Sequence, residues 1–260
     1  MPCTIDCNSF PTQAEQLKAV ADVKVTAKKR AGILDVFRTY KNFVSHMERL
    51  LENSTSTQAR ELVDSAYKQI ADGLFEILFF LEKSFDDLDP KEVLNGHIII
   101  MENGHHFYSQ VSIFKNPVLV KYTKQAKQIY DKHLSLYVKT IIQRPLGKLL
   151  EFFEGIDQLL QTRKDEEVGY QISYNKNALR KILAQYPSAV VRKGLEQLHE
   201  RIDKHFSDEE GLQPVVWRGV QEELITRYHH FESVIKRCYP QSDITLGFTT
   251  EDLIISFAHE

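Results

Sequence analysis

Apolar residues recur at alternating three- and four-residue steps along most of this chain, a rhythm that commits it to amphipathic helices. The clearest stretch is Ala31–Asn53, where Ile33, Val36/Phe37, Tyr40, Phe43/Val44, Met47 and Leu50/Leu51 make one continuous stripe. Arg38, Lys41, Asn42, Ser45, Glu48 and Arg49 fall between them and predict a solvated face. Ser54-Thr55-Ser56-Thr57 then supplies a break and an N-cap for a second helix over Gln58–Asp86. Within it, Leu74–Leu81 is apolar on nearly all sides, which predicts a central position in a bundle.

Punctuation is sparse: 11 Gly and 8 Pro in 260 residues imply few turns and long elements. Asp89-Pro90 opens a third helix reaching about Ser112, with Pro at the first position where no N–H is missed. Asn116-Pro117 starts a fourth, to about Gln143, and Arg144-Pro145 breaks the chain before a fifth over Leu146–Thr162. Arg163–Glu167 is charged and expected to be exposed. Tyr170–Tyr174 alternates apolar and polar, but no partner strand lies near it. An extended loop packing its aromatics down is expected there rather than a strand.

Short helices are expected over Lys176–Gln185 and Ala189–Phe206. A long one over Leu212–Cys238 should bury Val215/Val216, Val220, Leu224, Tyr228, Phe231 and Val234/Ile235. Thr249 caps a last short helix with an acidic first turn. No repeat of fixed period emerges, and the heptad-like stretches shift phase from helix to helix, as in bundles rather than one extended coiled coil. The expectation is an all-α protein of about ten helices: a lead-in at 1–30, a first bundle at 31–144 and a second at 145–260.

A formal net charge of −3 gives no long-range pull towards nucleic acid. Cys3, Cys7 and Cys238 are too few for a disulfide framework, and Cys3 and Cys7 lack a partner motif for zinc. No apolar run approaches the roughly 20 residues of a membrane span, and the first residues lack the basic start and apolar stretch of a signal peptide. A cytosolic setting follows.

Searches for chemistry return little. The glycines stand alone, so neither a dinucleotide fingerprint nor a phosphate loop can be written, and no nucleophile elbow appears. Ser65-Ala-Tyr-Lys68 has serine and lysine at catalytic spacing but lies mid-helix without companion motifs. His105-His106 and His229-His230 are adjacent pairs, which diverge by about 100° on a helix and cannot face one ion. Glu196, His199 and Asp203 share a face, yet no second helix is marked to complete a metal site; a solvated face explains them. The paired carboxylates Asp86-Asp87, Glu166-Glu167, Glu209-Glu210 and Glu222-Glu223 suit helix ends and polar faces. Trp217 reads as core. No catalytic residue, metal or cofactor is expected.

Two basic features remain. Lys24, Lys28, Lys29 and Arg30 cluster near the N-terminus, while Lys121, Lys124, Lys127 and Lys132 lie along the fourth helix. Either is a candidate contact for anionic lipid or a partner, each Lys near a charged surface contributing about 1 kcal/mol. An ordinary wet helix face is the simpler explanation of them.

The C-terminal half carries specific words: Arg144-Pro-Leu-Gly-Lys-Leu-Leu-Glu-Phe-Phe-Glu-Gly-Ile156, Glu166-Glu-Val-Gly-Tyr-Gln-Ile-Ser-Tyr174, Leu179-Arg-Lys-Ile182 and Gln185-Tyr-Pro187. Lys193-Gly-Leu-Glu196, Val215-Val-Trp217, Gln221-Glu-Glu223, His230-Phe-Glu232 and Arg237-Cys-Tyr-Pro240 follow in order. Together they resemble the C-terminal region of the Sec-three family of exocyst subunits, animal type, over about Tyr137–Ile254. The resemblance implies an elongated rod of consecutive helix bundles, CATCHR-like, in a complex that tethers secretory vesicles to the plasma membrane before SNARE-mediated fusion. It implies other exocyst subunits as partners, with membrane-associated proteins as further candidates and peripheral recruitment to the plasma membrane. The family's phosphoinositide- and GTPase-binding domain and its coiled coil are expected to lie outside this stretch.

Overall fold

The computed structural model describes residues 32–206 and 211–258, and among these every regular element is helical. The α-helices are α1 (Asp35–Leu51), α2 (Thr57–Lys83), α3 (Pro90–Val111), α4 (Val120–Ile141), α5 (Gln143–Leu160), α6 (Asp165–Val168), α7 (Lys176–Leu183), α8 (Ser188–His205), α9 (Leu212–Cys238) and α10 (Thr250–Phe257). The all-α expectation holds. The punctuation acts as expected too: the Ser56 hydroxyl accepts from the Ala59 N–H, Asp89 and Glu92 form a capping box ahead of Pro90, and Thr249 and Asp252 form another. Asn116 Oδ1 accepts from the Val118 N–H and turns the chain into α4.

The chain forms two compact units dividing between Leu134 and Ser135, a point inside α4. In the first, α1 to α4 run up and down. Tyr40 donates to the Tyr67 carbonyl across α1 and α2, while Glu82 meets Lys132 and Asp72 meets Tyr122 across α2 and α4. His97 meets His133, and Gly104 faces Ala126 and Tyr130, an antiparallel crossing of α3 and α4 in which a Cβ on Gly104 would press on the Ala126 carbonyl. Phe107 sits in the middle, stacked on Tyr40 at 5.4 Å and edge-on to Phe75 at 5.2 Å.

Two expectations about this unit are corrected. The helix buried all round is α3, from Gly96 to Gly104, rather than the Leu74–Leu81 stretch of α2. In α2, Leu74, Phe75, Ile77, Leu78 and Leu81 are buried, but Phe79 and Phe80 face outwards, 40% and 42% exposed. A stretch apolar on every side presents more apolar width than one neighbouring face covers. Glu48, expected on a solvated face, is drawn half under by Arg60, Tyr67 and Asn116.

In the second unit, α5 packs on α9 with Phe153 stacked on Phe231 at 4.2 Å. Helices α8 and α9 form an antiparallel pair in which the His199 ring meets Trp217, and α10 closes on Trp217 through Phe257. Between α6 and α7 there is no strand: Ile172–Tyr174 is a 3-10 turn. Its aromatics split. Tyr174 packs on Phe152 at 5.3 Å, whereas Tyr170 and Ile172 are 86% and 89% exposed, so the loop does not pack all its apolar residues down. Val215 also lies outside the buried face expected of α9.

Candidate functional site

The four candidate lysines of α4, Lys121, Lys124, Lys127 and Lys132, are all exposed, but they do not share one face. Lys121, Lys124 and Lys132 line a concave groove of about 770 Å³, whose other walls are Phe79 and Glu82 of α2 with Pro117, Val120, Gln125, Gln128 and Ile129. Steps of three, four and four residues keep Lys121, Lys124, Gln128 and Lys132 in register with a helix period of 3.6. Lys127 falls off that row. It bonds Asp131 at 2.6 Å on its own helix and stands 6.0 Å from the Tyr108 ring. Lys132 is ion-paired with Glu82. Lys121 lies over the Tyr122 ring at 5.3 Å, and Lys124 has no charged partner among the described residues. The cluster Lys24, Lys28, Lys29 and Arg30 and the thiols Cys3 and Cys7 lie outside the described residues.

Behind the groove sits a cluster that no motif announced. His97 and His133 are buried and hydrogen-bond through their Nδ1 atoms at 2.8 Å, so one ring donates and the other accepts. His133 Nε2 lies 3.7 Å from the Glu82 carboxylate, which favours a proton on that nitrogen and makes His97 the donor. Phe85 packs edge-on against both rings. Burial pulls both histidines down to about 4, with His97 adding to the effect on His133. Burial also pulls Glu82 upwards, but the Lys132 hydrogen bond and the nearby rings outweigh it and hold the carboxyl below its ordinary range. Nothing in spacing alone marked these residues, since His97 and His133 are 36 positions apart.

A second polar cluster joins α1 and α2. Arg60 reaches both oxygens of Glu48 at 2.9 and 3.0 Å and Asp64 at 2.6 Å, and the Tyr67 hydroxyl donates to Glu48 at 2.9 Å. Burial works to raise Glu48, yet the bonds from Arg60, Tyr67 and Asn116 leave it lowered. This is a pinned corner of the bundle, with each oxygen of Glu48 already engaged.

The other candidates dissolve into ordinary contacts. Ser65 and Lys68 lie exposed on α2. His199 stands 3.7 Å from Asp203 and contacts Gln213 at 3.1 Å; His230 bonds Asp157 at 2.9 Å. Among the described residues no three His, Cys, Asp or Glu side chains converge as metal ligands. Cys238 is buried and its thiol is pushed up to about 11 by that burial, the opposite of an activated nucleophile. Trp217 is core, as expected, at 2% exposure.

These features define a helical-bundle protein whose polar clusters pair among themselves and whose apolar surplus lies on outward faces. A family profile described as "Exocyst complex component Sec3, C-terminal" matches residues 13–241, and the chain belongs to that family. It is 36% identical to mouse exocyst complex component 1 over 96% of its own length, and 34% identical to the Drosophila melanogaster protein of the same name over 94%. Similarity extends to the Arabidopsis thaliana exocyst complex component SEC3A, at 25% identity over 83% of this chain. The chain spans 27% of the length of the mouse relative and 26% of the fly one. No solved structure matches.

Proposed function

We propose that this chain is a structural and interaction segment of an exocyst subunit, helping to tether secretory vesicles to the plasma membrane before SNARE-mediated fusion. One observation carries the proposal: the family match runs through both compact units, from residue 13 to residue 241. The mechanism is geometric and involves no covalent step. Close-packed helices resist compression and hold side surfaces at fixed spacing, and neighbouring subunits of the complex are the partners. Apolar side chains left outside, Phe79 and Val120 in the first unit, Tyr170 and Ile172 in the second, suit such contacts. Recruitment to the plasma membrane is through the complex; among the described residues no helix is long and apolar enough to cross a membrane. Pull-down of the purified 260-residue chain against each of the other exocyst subunits tests this. Capture of at least one is expected; capture of none would overturn it.

A further inference from the structure

We propose that the groove between α2 and α4, floored by Phe79, Val120 and Ile129 and rimmed by Lys121, Lys124 and Lys132, receives an acidic amphipathic helix from a partner polypeptide. It rests on the tethering reading and names the surface by which a neighbouring subunit attaches.

Shape comes first. The lining of α4 runs from Val120 to Lys132, about 18 Å at ~1.5 Å per residue, which is a little over three turns of a helix laid alongside. A groove of about 770 Å³ between two helices is the setting in which an amphipathic helix places residues i, i+3, i+4 and i+7. The floor is apolar and open, with Phe79 40% and Val120 44% exposed. Water on those two side chains is released only by an apolar occupant.

Charge then selects the occupant. The rim holds three lysines against one carboxylate, and that carboxylate, Glu82, is already bound to Lys132. Among the described residues Lys124 makes no ion pair and Lys121 lies over the Tyr122 ring, which leaves two cations to meet carboxylates along the edge of the apolar floor. A helix with leucines on one face and glutamates flanking them satisfies both requirements at once. A second copy of this surface does not, because it would set lysines against lysines. A bilayer does not either. A flat surface leaves the recess between α2 and α4 unfilled, and Lys127, which would have to join the lysine row, is turned aside to Asp131.

The probe is a fluorescent 18-residue peptide with leucines at i, i+3, i+4 and i+7 spacing and glutamates beside them, titrated into the 260-residue chain and followed by anisotropy. Saturable binding that weakens with added salt is expected. Lys121→Glu/Lys124→Glu should weaken it at least tenfold, and Val120→Ser severalfold. Lys181→Glu, an exposed reversal in the other unit, should leave it unchanged, with circular dichroism confirming that all variants fold. Equal binding by the double reversal would overturn the inference. So would vesicles of phosphatidylserine and phosphatidylcholine that bind the chain and displace the peptide, an outcome that assigns the face to lipid. Self-association abolished by the double reversal would assign it to a second copy. In the subunit pull-down, capture undiminished by the reversal removes the groove while leaving the tethering proposal standing. Capture by neither chain removes the tethering proposal, and the peptide titration then decides the groove alone.

Discussion

Below Leu134, the core holds buried polar side chains as well as apolar ones: Ser84, His97, Glu102, Asn103, His106, Asn116 and His133 are all buried there. From Ser135 onwards, Ser256 is the corresponding residue among those described, and the core is Phe153 on Phe231, Trp217, Val220 and their neighbours. Ion pairs of that second unit such as Arg237 with Asp165 and His230 with Asp157 lie at its surface, and Arg227 with Glu223 is half-buried. A buried polar group stabilises only while its hydrogen bonds are made, and costs about 1–3 kcal/mol when one is broken. An apolar contact is proportional to area and tolerant of direction. The first unit is therefore specified by geometry and proton state, the second by volume.

Removing volume from the second unit should have the largest effect. Phe153→Ala empties a buried ring site stacked on Phe231, with an expected loss of about 3–5 kcal/mol. Trp217, the one tryptophan, lies in the same unit and reports its unfolding by fluorescence during urea titration. A loss under about 1 kcal/mol would break the comparison, since the core would then not depend on close packing.

In the first unit the sensitive change is polar. Glu48→Ala leaves the Asn116 amide without its acceptor, the Tyr67 hydroxyl with only the Val44 carbonyl at 3.3 Å and Arg60 with Asp64 alone. About 2 kcal/mol is expected, moderated because Glu48 and Arg60 are partly in water. Far-ultraviolet circular dichroism should show it, with the Trp217 signal unmoved. If Tyr67→Phe were to cost as much as Glu48→Ala, the cluster would act through the tyrosine alone.

Proton state gives a third test. His97 and His133 stay neutral in the folded chain down to about 4, whereas in the unfolded chain they take up protons near the ordinary value of 6.5. Between those values the unfolded state binds more protons, so stability is full above 6.5 and declines as pH falls towards 4. The slope is about 1.4 kcal/mol per pH unit for each ring that is charged in the unfolded chain and neutral in the folded one. His97→Gln/His133→Gln, which keeps an amide pair but cannot titrate, should flatten that slope in denaturation curves between pH 6.5 and 4.5. An unchanged slope would place the acid sensitivity elsewhere.

What was legible in the sequence follows the same division. Caps and proline starts were readable because they depend on neighbours two or three residues away: Ser56, Asp89 and Thr249 cap where their spacing says. The apolar stripes of α1 and α9 were readable from period alone, apart from end residues such as Leu50 and Val215, which lie exposed. The polar joints of the first unit were not. Glu48 looks like any carboxylate on a wet face until Arg60 arrives from another helix, and His97 gains meaning only from a ring 36 residues away. The lysine row was half visible: spacing gave four candidates, and only the position of α2 separates Lys127 from the other three. The resemblance was carried by words of the second unit, while the family match also covers the first, where polar joints spread over distant positions offer no short motif.

The smallest effect sharpens the contrast by being the same on both sides. A helix N-terminus leaves its first N–H groups unpaired whatever the core beneath it, so capping should not distinguish the two units. Ser56 accepts from the Ala59 N–H at 3.2 Å in the first unit, and Thr249 accepts from the Asp252 N–H at 3.1 Å in the second. Ser56→Ala and Thr249→Ala should each cost about 1 kcal/mol. The first should be seen by circular dichroism alone, the second also by Trp217, against which Phe257 of α10 packs at 5.9 Å. Thr249 has a further role in that Asp252, its partner in the capping box, also receives the Ser188 hydroxyl at 2.5 Å from the start of α8. A markedly larger loss for Thr249→Ala would therefore mean that its cap also aligns α8, adding a polar joint to those the second unit has in Tyr137 with His205 and Tyr239 with the Tyr174 carbonyl.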